Sequence, residues 1–408
     1  MKKSAVFKGL PYEPISEYFA NLQTPCYVID EKRLTENAQI LFSVMENTGC
    51  KILLAQKAFS NYDFYPLLSQ YLSGTEASGL FEARLGAEEM PSGEVHVFCA
   101  AYRDDEFEEL LRYADHIVFN SINQLKKYGL KAKEHGKSIG LRINPECSTQ
   151  EGHEIYDPCA KGSRLGVTRS VWDREMTEDI LSLIDGLHFH TLCEQDSDAL
   201  EITFKSFEQN FGDVLPRVKW LNMGGGHHIT KEGYDIKRLE SLILHAQKKW
   251  DLCVYLEPGE AVALNAGYLI SQVLDIVENG DIKIAILDTS AACHMPDVIE
   301  MPYTPPLLGT NQAEEGAYSY RLAGPTCLSG DIIGEYRFDK PLQIGDLLVF
   351  GDMAIYTTCK NNTFNGMPLP NIYRKNIDGT FTQLSHFGYQ DFKMRLGDYK
   401  DRSVRIDN

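Results

Sequence analysis

The sequence contains no run of about 18 uncharged apolar residues, so nothing in it reads as a membrane-spanning helix. It also lacks any basic tract. Lysine and arginine number 40 against 58 acidic residues, a formal charge of −18, which argues against a nucleic-acid or anionic-membrane partner. No CxxC pair occurs among the ten cysteines, which are scattered at 26, 50, 99, 147, 159, 193, 253, 293, 327 and 359. That scatter removes support for a thiolate metal site or a disulfide framework, and no metal is expected. Internal repeats, low-complexity tracts and long linkers are missing as well. The opening MKKSAVFKGLPYEPISEYF sets two lysines before no continuous apolar run, so no signal peptide is expected and the protein reads as cytoplasmic.

What is present is an ordinary globular composition, 43% hydrophobic and 24% charged, in 408 residues, enough for about two domains. Between residues 50 and 260, short apolar runs alternate with segments of helical periodicity. The runs are KILLAQ (51–56), GTEAS (74–78), VHVFCA (95–100), HIVFN (116–120), SIGLRIN (138–144), LHFHT (187–191), WLNMGG (220–225) and CVYLEPG (253–259). Helix candidates between them include 121–136, with Ser121 as cap, and 236–250, where Leu239, Leu242 and Leu244 suggest an apolar face. Eight such alternations predict a (β/α)8 TIM-type barrel, whose strands are buried on both faces and so read as unbroken apolar runs. A doubly wound open sheet is the alternative, but the Gly-rich turn expected after KILLAQ is missing.

After residue 260 the texture turns to β-branched and aromatic runs, punctuated by Asn279-Gly280 and Asp378-Gly379. The expected division is a barrel over 31–262 and a β-sheet domain over 1–30 and 263–408, with TPCYVID (24–30) supplying that sheet with a strand.

In such a barrel the carboxyl ends of the strands build the active site. The first run ends at Lys57, the sixth carries His188 and His190, the seventh ends in Gly224-Gly225-Gly226 and the eighth in Glu257-Pro258-Gly259-Glu260. Taken singly, each has a plain structural reading: a snorkelling lysine, a core histidine, a flexible loop, a rim salt bridge. Taken together they offer an amine, a flat imidazole, an anion cradle and a buried carboxylate, matching the aldehyde, ring face, phosphate and ring nitrogen of pyridoxal 5′-phosphate.

With AQKA around Lys57, EASGLFE (76–82), SRLGV (163–167), HFHT (188–191), GGG (224–226), EPG (257–259), GPTCLSGD (324–331) and GDMAIYTT (351–358), the chain resembles the fold-type III, alanine racemase-like pyridoxal-phosphate decarboxylases. That group includes the ornithine and diaminopimelate decarboxylases. The resemblance runs from TPCYVID to the end of the chain. It implies that Lys57 holds the cofactor covalently, that His190 stacks on its ring, that Gly225, Gly226 and Tyr356 bind its phosphate, and that Glu257 pairs with the ring nitrogen. It also implies that Cys327 is catalytic and is contributed across the interface of a homodimer.

Departures from that pattern concern the substrate. Glu260 stands where many relatives have arginine after EPG, and the run after GPT is Cys327-Leu328-Ser329-Gly330-Asp331 in place of CESGD. An arginine would attract the second carboxylate of diaminopimelate, whereas Glu260 would repel it. Glu260, Asp297 and Asp331 would instead complement the ammonium groups of a carboxylated triamine, a polyamine-type substrate. Another basic amino-acid decarboxylase, such as one for diaminopimelate, is the alternative. An amino-acid racemase would need a second base on the opposite ring face, where GPTC offers a thiol. A non-catalytic cofactor carrier is disfavoured by the 148 residues after position 260.

Overall fold

A computed structural model describes residues 18–150, 157–308 and 318–397. The chain divides into two compact units, Arg33–Leu264 and the pair of segments Met1–Lys32 and Asn265–Asn408. No helix among the described residues is long and apolar enough to cross a membrane.

The continuous unit is a closed barrel of eight parallel strands: β2 (Lys51–Ala55), β3 (Gly74–Ala77), β4 (Glu94–Phe98), β5 (His116–Phe119), β6 (Ser138–Arg142), β7 (Gly186–His188), β8 (Trp220–Asn222) and β9 (Cys253–Leu256). β9 closes the ring on β2, with Lys51 opposite Tyr255. Each strand coincides with one apolar run of the sequence, because a parallel strand between barrel interior and helix layer is apolar on both faces.

The preceding helix, Glu31–Thr48, buries Leu34, Ala38, Leu41 and Val44, one face at helical spacing. Ser121 caps the helix Ile122–Glu134, its Oγ accepting from the Gln124 N–H at 3.2 Å. Helix Ile236–Trp250 forms where expected, but its buried face is Leu239, Ile243 and Ala246, while Leu244 is exposed. The offsets i, i+4, i+7 share a face; i+5 lies on the other side of the cylinder.

The amino-terminal end of the barrel is closed by Trp220, which packs with Leu53, Val118 and Tyr255. Its ring lies against the backbones of two neighbouring strands. A Cβ on Gly186 would sit 1.9 Å from the indole, and one on Gly140 would sit 2.5 Å from it. The two glycines therefore clear the space the indole fills, and its Nε1 donates to Ser138 Oγ at 2.9 Å.

The second unit is a sheet built on β1 (Cys26–Asp30), which runs antiparallel to β10 (Gly267–Asn279) and parallel to β16 (Asn371–Lys375). β10 continues through a turn at Gly280 into β11 (Ile282–Leu287), which pairs with β13 (Tyr318–Ala323), itself paired with β14 (Ile332–Phe338). β15 (Leu347–Gly351) also pairs with β10 and with the short β12 (Leu307–Leu308), and β17 (Phe381–Ser385) closes the other edge by a turn at Gly379. Both expected turn dipeptides thus join antiparallel strands, with glycine at positive φ in each. The segment TPCYVID lies in the centre of this sheet, and Asp30 at its end forms a buried ion pair with Lys375 (2.6 Å).

Because Trp220 leaves no room beside Gly186, Gly186→Ala is expected to destabilise the barrel by about 1–3 kcal/mol through overpacking. The urea unfolding midpoint followed by tryptophan fluorescence measures it, and an unshifted midpoint would show that the indole relocates freely.

Candidate active site

Lys57 follows β2 in a tight turn, with the Ala58 N–H bonded to the Ala55 carbonyl at 3.2 Å. The adjacent Gln56 is fully buried and fixes this turn. Its Oε1 accepts from the Tyr65 hydroxyl at 3.0 Å and its Nε2 donates to the Glu82 carbonyl at 2.9 Å. The half-buried lysine is thus presented from a rigid strand end rather than a loose loop. Glu76, His188, His190 and Glu257 all lie within electrostatic reach of its amine.

Glu257 follows β9 and is 5% exposed. Burial alone would push its carboxyl up, but the His188 ring and the Lys57 amine outweigh that penalty and hold it below the usual carboxylate range. One oxygen accepts from Asn222 Nδ2 at 2.5 Å, and the other lies 3.1 Å from His188 Nε2. His190 accepts the Gly225 N–H at Nδ1 (3.0 Å), which leaves the ring proton on Nε2. Burial and the nearby Lys57 hold this imidazole well below its ordinary pKa, so the ring is neutral.

The three glycines are required by close approach. A Cβ on Gly225 would meet the Glu257 carbonyl oxygen at 2.1 Å, and one on Gly226, at φ +81°, the Leu192 carbonyl oxygen at 1.9 Å. Gly224 is at φ +71° against the Phe189 carbonyl. The backbone of the loop therefore has to be bare for it to pack against the neighbouring strand ends.

The sequence reading assigned no role to three residues that the structure brings to this end of the barrel. Glu76, near the end of β3, is 2% exposed and its Oε2 has no hydrogen-bond partner among the described residues. Burial raises its pKa to about 8, the opposing pull of Lys57 notwithstanding. Arg142, the last residue of β6, lies over the Phe98 ring (4.5 Å) and donates to the His190 carbonyl (3.1 Å). Asn222, the last of β8, aligns Glu257. Their shared signal is a charged or amide group at the carboxyl end of an otherwise apolar run. His227 is buried too, its Nδ1 2.6 Å from the Tyr234 hydroxyl.

Glu260 opens the short helix after β9 and lies 2.5 Å from His228 Nε2, beyond the glycine loop. The remaining expected site residues belong to the sheet unit. Cys327 is exposed, and its N–H donates to Asn365 Oδ1 at 2.8 Å. Tyr356 takes a left-handed conformation, φ +59°, at the start of helix Thr357–Lys360. Asp297 is ion-paired to Lys360, which also bonds Glu300. Asp331 is 2% exposed and both its oxygens are engaged, one by Ser290 Oγ (3.0 Å) and the Ala292 N–H (3.3 Å), the other by Thr326 Oγ1 (2.6 Å). These bonds tie the GPTC loop to the turn at Ser290.

Burial favours the neutral form of Glu76, with its pKa pushed up to about 8. If the proton on this carboxyl serves turnover, kcat of the wild type falls as pH rises through about 8, and Glu76→Gln, which mimics the neutral acid, loses that alkaline limb. A pH–rate profile of the two proteins makes the comparison, and an identical limb in both would clear Glu76.

Residues 26–354 match the family described as pyridoxal-dependent decarboxylase, C-terminal sheet domain. A carboxynorspermidine/carboxyspermidine decarboxylase from Campylobacter jejuni is 42% identical, over 93% of this chain and all of that protein. A carboxyaminopropylagmatine decarboxylase from Synechocystis is 41% identical, over 93% of this chain and 96% of the relative. The crystal structure of carboxynorspermidine decarboxylase from C. jejuni complexed with norspermidine superposes with a TM-score of 0.84, covering 92% of this chain and all of that one. On sequence and fold together, the chain belongs to the pyridoxal-dependent decarboxylases.

Proposed function

We propose that this enzyme decarboxylates carboxynorspermidine to norspermidine, carboxyspermidine to spermidine, or both, using pyridoxal 5′-phosphate, as a step of polyamine biosynthesis. The observation that carries the chemistry is the convergence on Lys57 of an ionised carboxylate, a neutral imidazole and a bare glycine loop, all at one end of the barrel. The substrate reading rests on the carboxynorspermidine/carboxyspermidine decarboxylase at 42% identity and on Glu260.

The residues present fit the cofactor. The glycine loop has a bare backbone, held in place by the Gly224 N–H on Asn222 and the Gly225 N–H on His190, and among the described residues Glu76 Oε2 and His188 Nδ1 are buried polar atoms with no hydrogen-bond partner. Lys57 would hold the cofactor, Gly225, Gly226 and Tyr356 its phosphate, and His190 its ring face. When bound, the group supplies an electron sink for the charge left on the α-carbon when carbon dioxide departs. Glu257, anchored by Asn222 and kept ionised, is suited to hold a proton on a ring nitrogen. Arg142 steadies the backbone of His190 by donating to its carbonyl. Lys57 or Cys327 returns a proton to the α-carbon, Cys327 coming from the partner of a homodimer.

Of the three acids expected to meet the substrate tail, Glu260 is the one the arrangement favours, because its partner His228 is itself a titratable group that an ammonium can replace. Asp297 would have to exchange Lys360, and Asp331 would have to release the loop it holds. A desolvated ammonium–carboxylate bond is worth roughly 1.5–3 kcal/mol.

Lys57→Ala is expected to abolish both turnover and the visible absorbance of the reconstituted holoenzyme. An unchanged spectrum would remove the lysine from the mechanism. Glu260→Arg is expected to lower kcat/KM for the carboxylated triamines at least tenfold with little change in cofactor affinity. Competition among the two carboxylated triamines, carboxyaminopropylagmatine, diaminopimelate and ornithine, scored by carbon dioxide release, tests the assignment; preference for diaminopimelate would overturn it.

A further inference from the structure

The opposite, amino-terminal end of the barrel carries a second constellation that decarboxylation does not use. Glu94 and His96 are two residues apart on β4, so strand alternation turns both side chains the same way. His116 begins β5, directly opposite His96 in the parallel register. One oxygen of Glu94 is consequently 3.1 Å from His96 Nε2 and 4.0 Å from His116 Nε2, and one donor atom from each of the three residues lies within 4.8 Å of the others. The two imidazoles stack at 3.8 Å beside Trp220 and Tyr255.

Hydrogen bonding within the protein leaves this cluster unsatisfied. His96 is fully buried, and among the described residues Nδ1 of both histidines is buried without a partner. If His96 donates from Nε2 to Glu94, its Nδ1 is an acceptor with no donor; if the proton sits on Nδ1, two lone pairs face each other across 3.1 Å. His116 is too far from the carboxylate for a hydrogen bond. A cation held between the two Nε2 atoms and the Glu94 oxygen turns the facing lone pairs into ligands, with the proton of each ring on Nδ1. Lys51, ion-paired to the other oxygen of Glu94, meets part of that demand. It reaches only the carboxylate, and its side chain is 40% exposed, so it can swing away.

We propose that Glu94, His96 and His116 form a binding site for a borderline-soft divalent cation such as Zn²⁺, Ni²⁺ or Co²⁺, which displaces Lys51 and pins β4 to β5 at the floor of the barrel. Two imidazoles and one carboxylate suit these ions rather than Mg²⁺ or Ca²⁺, which prefer all-oxygen shells. Bond lengths of about 2.0–2.2 Å need the donors drawn together by roughly an ångström and the His116 ring turned about χ2, leaving the solvent side of the site for water. Cysteine spacing could not reveal this site, because it contains no cysteine and its histidines lie 20 residues apart on separate strands.

The test uses EDTA-treated holoenzyme titrated with ZnCl₂ or CoCl₂, with metal content, calorimetry and the visible spectrum of bound Co²⁺ as readouts. Wild-type protein is expected to retain one equivalent after gel filtration, with a higher Tm. Glu94→Gln and His116→Asn are expected to weaken binding at least tenfold, whereas Lys51→Met tightens it by a similar factor. None of the three substitutions touches the Lys57 end of the barrel, so carbon dioxide release by metal-free variants stays near wild type. Binding that is absent, or that is equal in wild type and all three variants, would overturn the site. The response to Lys51→Met separates this site from adventitious binding at exposed cysteines or the cofactor, which that change cannot improve.

Discussion

The chemistry at the barrel mouth depends on keeping one carboxylate ionised where burial alone would protonate it. Glu257 is almost wholly removed from water, a change that by itself favours the neutral acid. Asn222 donates to one oxygen, His188 lies against the other and the Lys57 amine is within electrostatic reach, and together they reverse the balance. Each of these groups comes from a different strand, so the charge on Glu257 exists only when the barrel has closed. The contrast with Glu76 is instructive. That carboxyl sits near the end of β3, close to the same lysine, yet one of its oxygens has no partner among the described residues, and burial prevails. Two buried carboxyls a few strands apart thus hold opposite protonation states, which is how one pocket can keep a proton in one place and a charge in another.

The same barrel treats its two ends differently. At the carboxyl ends the strands release into loops where glycine removes side chains and lets the backbone run close against neighbouring carbonyls. At the amino ends glycine serves the reverse purpose, clearing Gly140 and Gly186 so that Trp220 can fill the interior. The indole floor, the stacked histidines and Tyr255 form a packed aromatic plug. A rigid floor supports a precise mouth, since strands only three to five residues long carry both.

Much of this was legible in the chain alone. All eight barrel strands coincide with apolar runs, because burial on two faces writes itself into consecutive residues. The central place of TPCYVID and the hairpins at Gly280 and Gly379 were equally readable, since alternation and turn chemistry are local. Lys57, His190, Glu257 and the glycine triplet stood out because each interrupts or ends a run of otherwise apolar character. The buried face of helix Ile236–Trp250 was less clear, as Leu242 and Leu244 advertise hydrophobicity without sharing the angular position of Leu239.

By itself the sequence determined the element order, the places of the eight strands and which residue types gather at their carboxyl ends, because those depend on short-range pattern. Only the tertiary structure decided which charges survive. Asp331 and Asp297 read in the sequence as acids for a cationic substrate tail, yet one is engaged in holding a loop and the other is paired with Lys360. Glu76, Arg142 and Asn222 gain their roles from neighbours 19 to 181 residues away in the chain, and the Glu94, His96 and His116 cluster exists only through the register between adjacent strands. Desolvation and the partners that offset it are properties of three-dimensional proximity, and no one-dimensional pattern encodes them residue by residue.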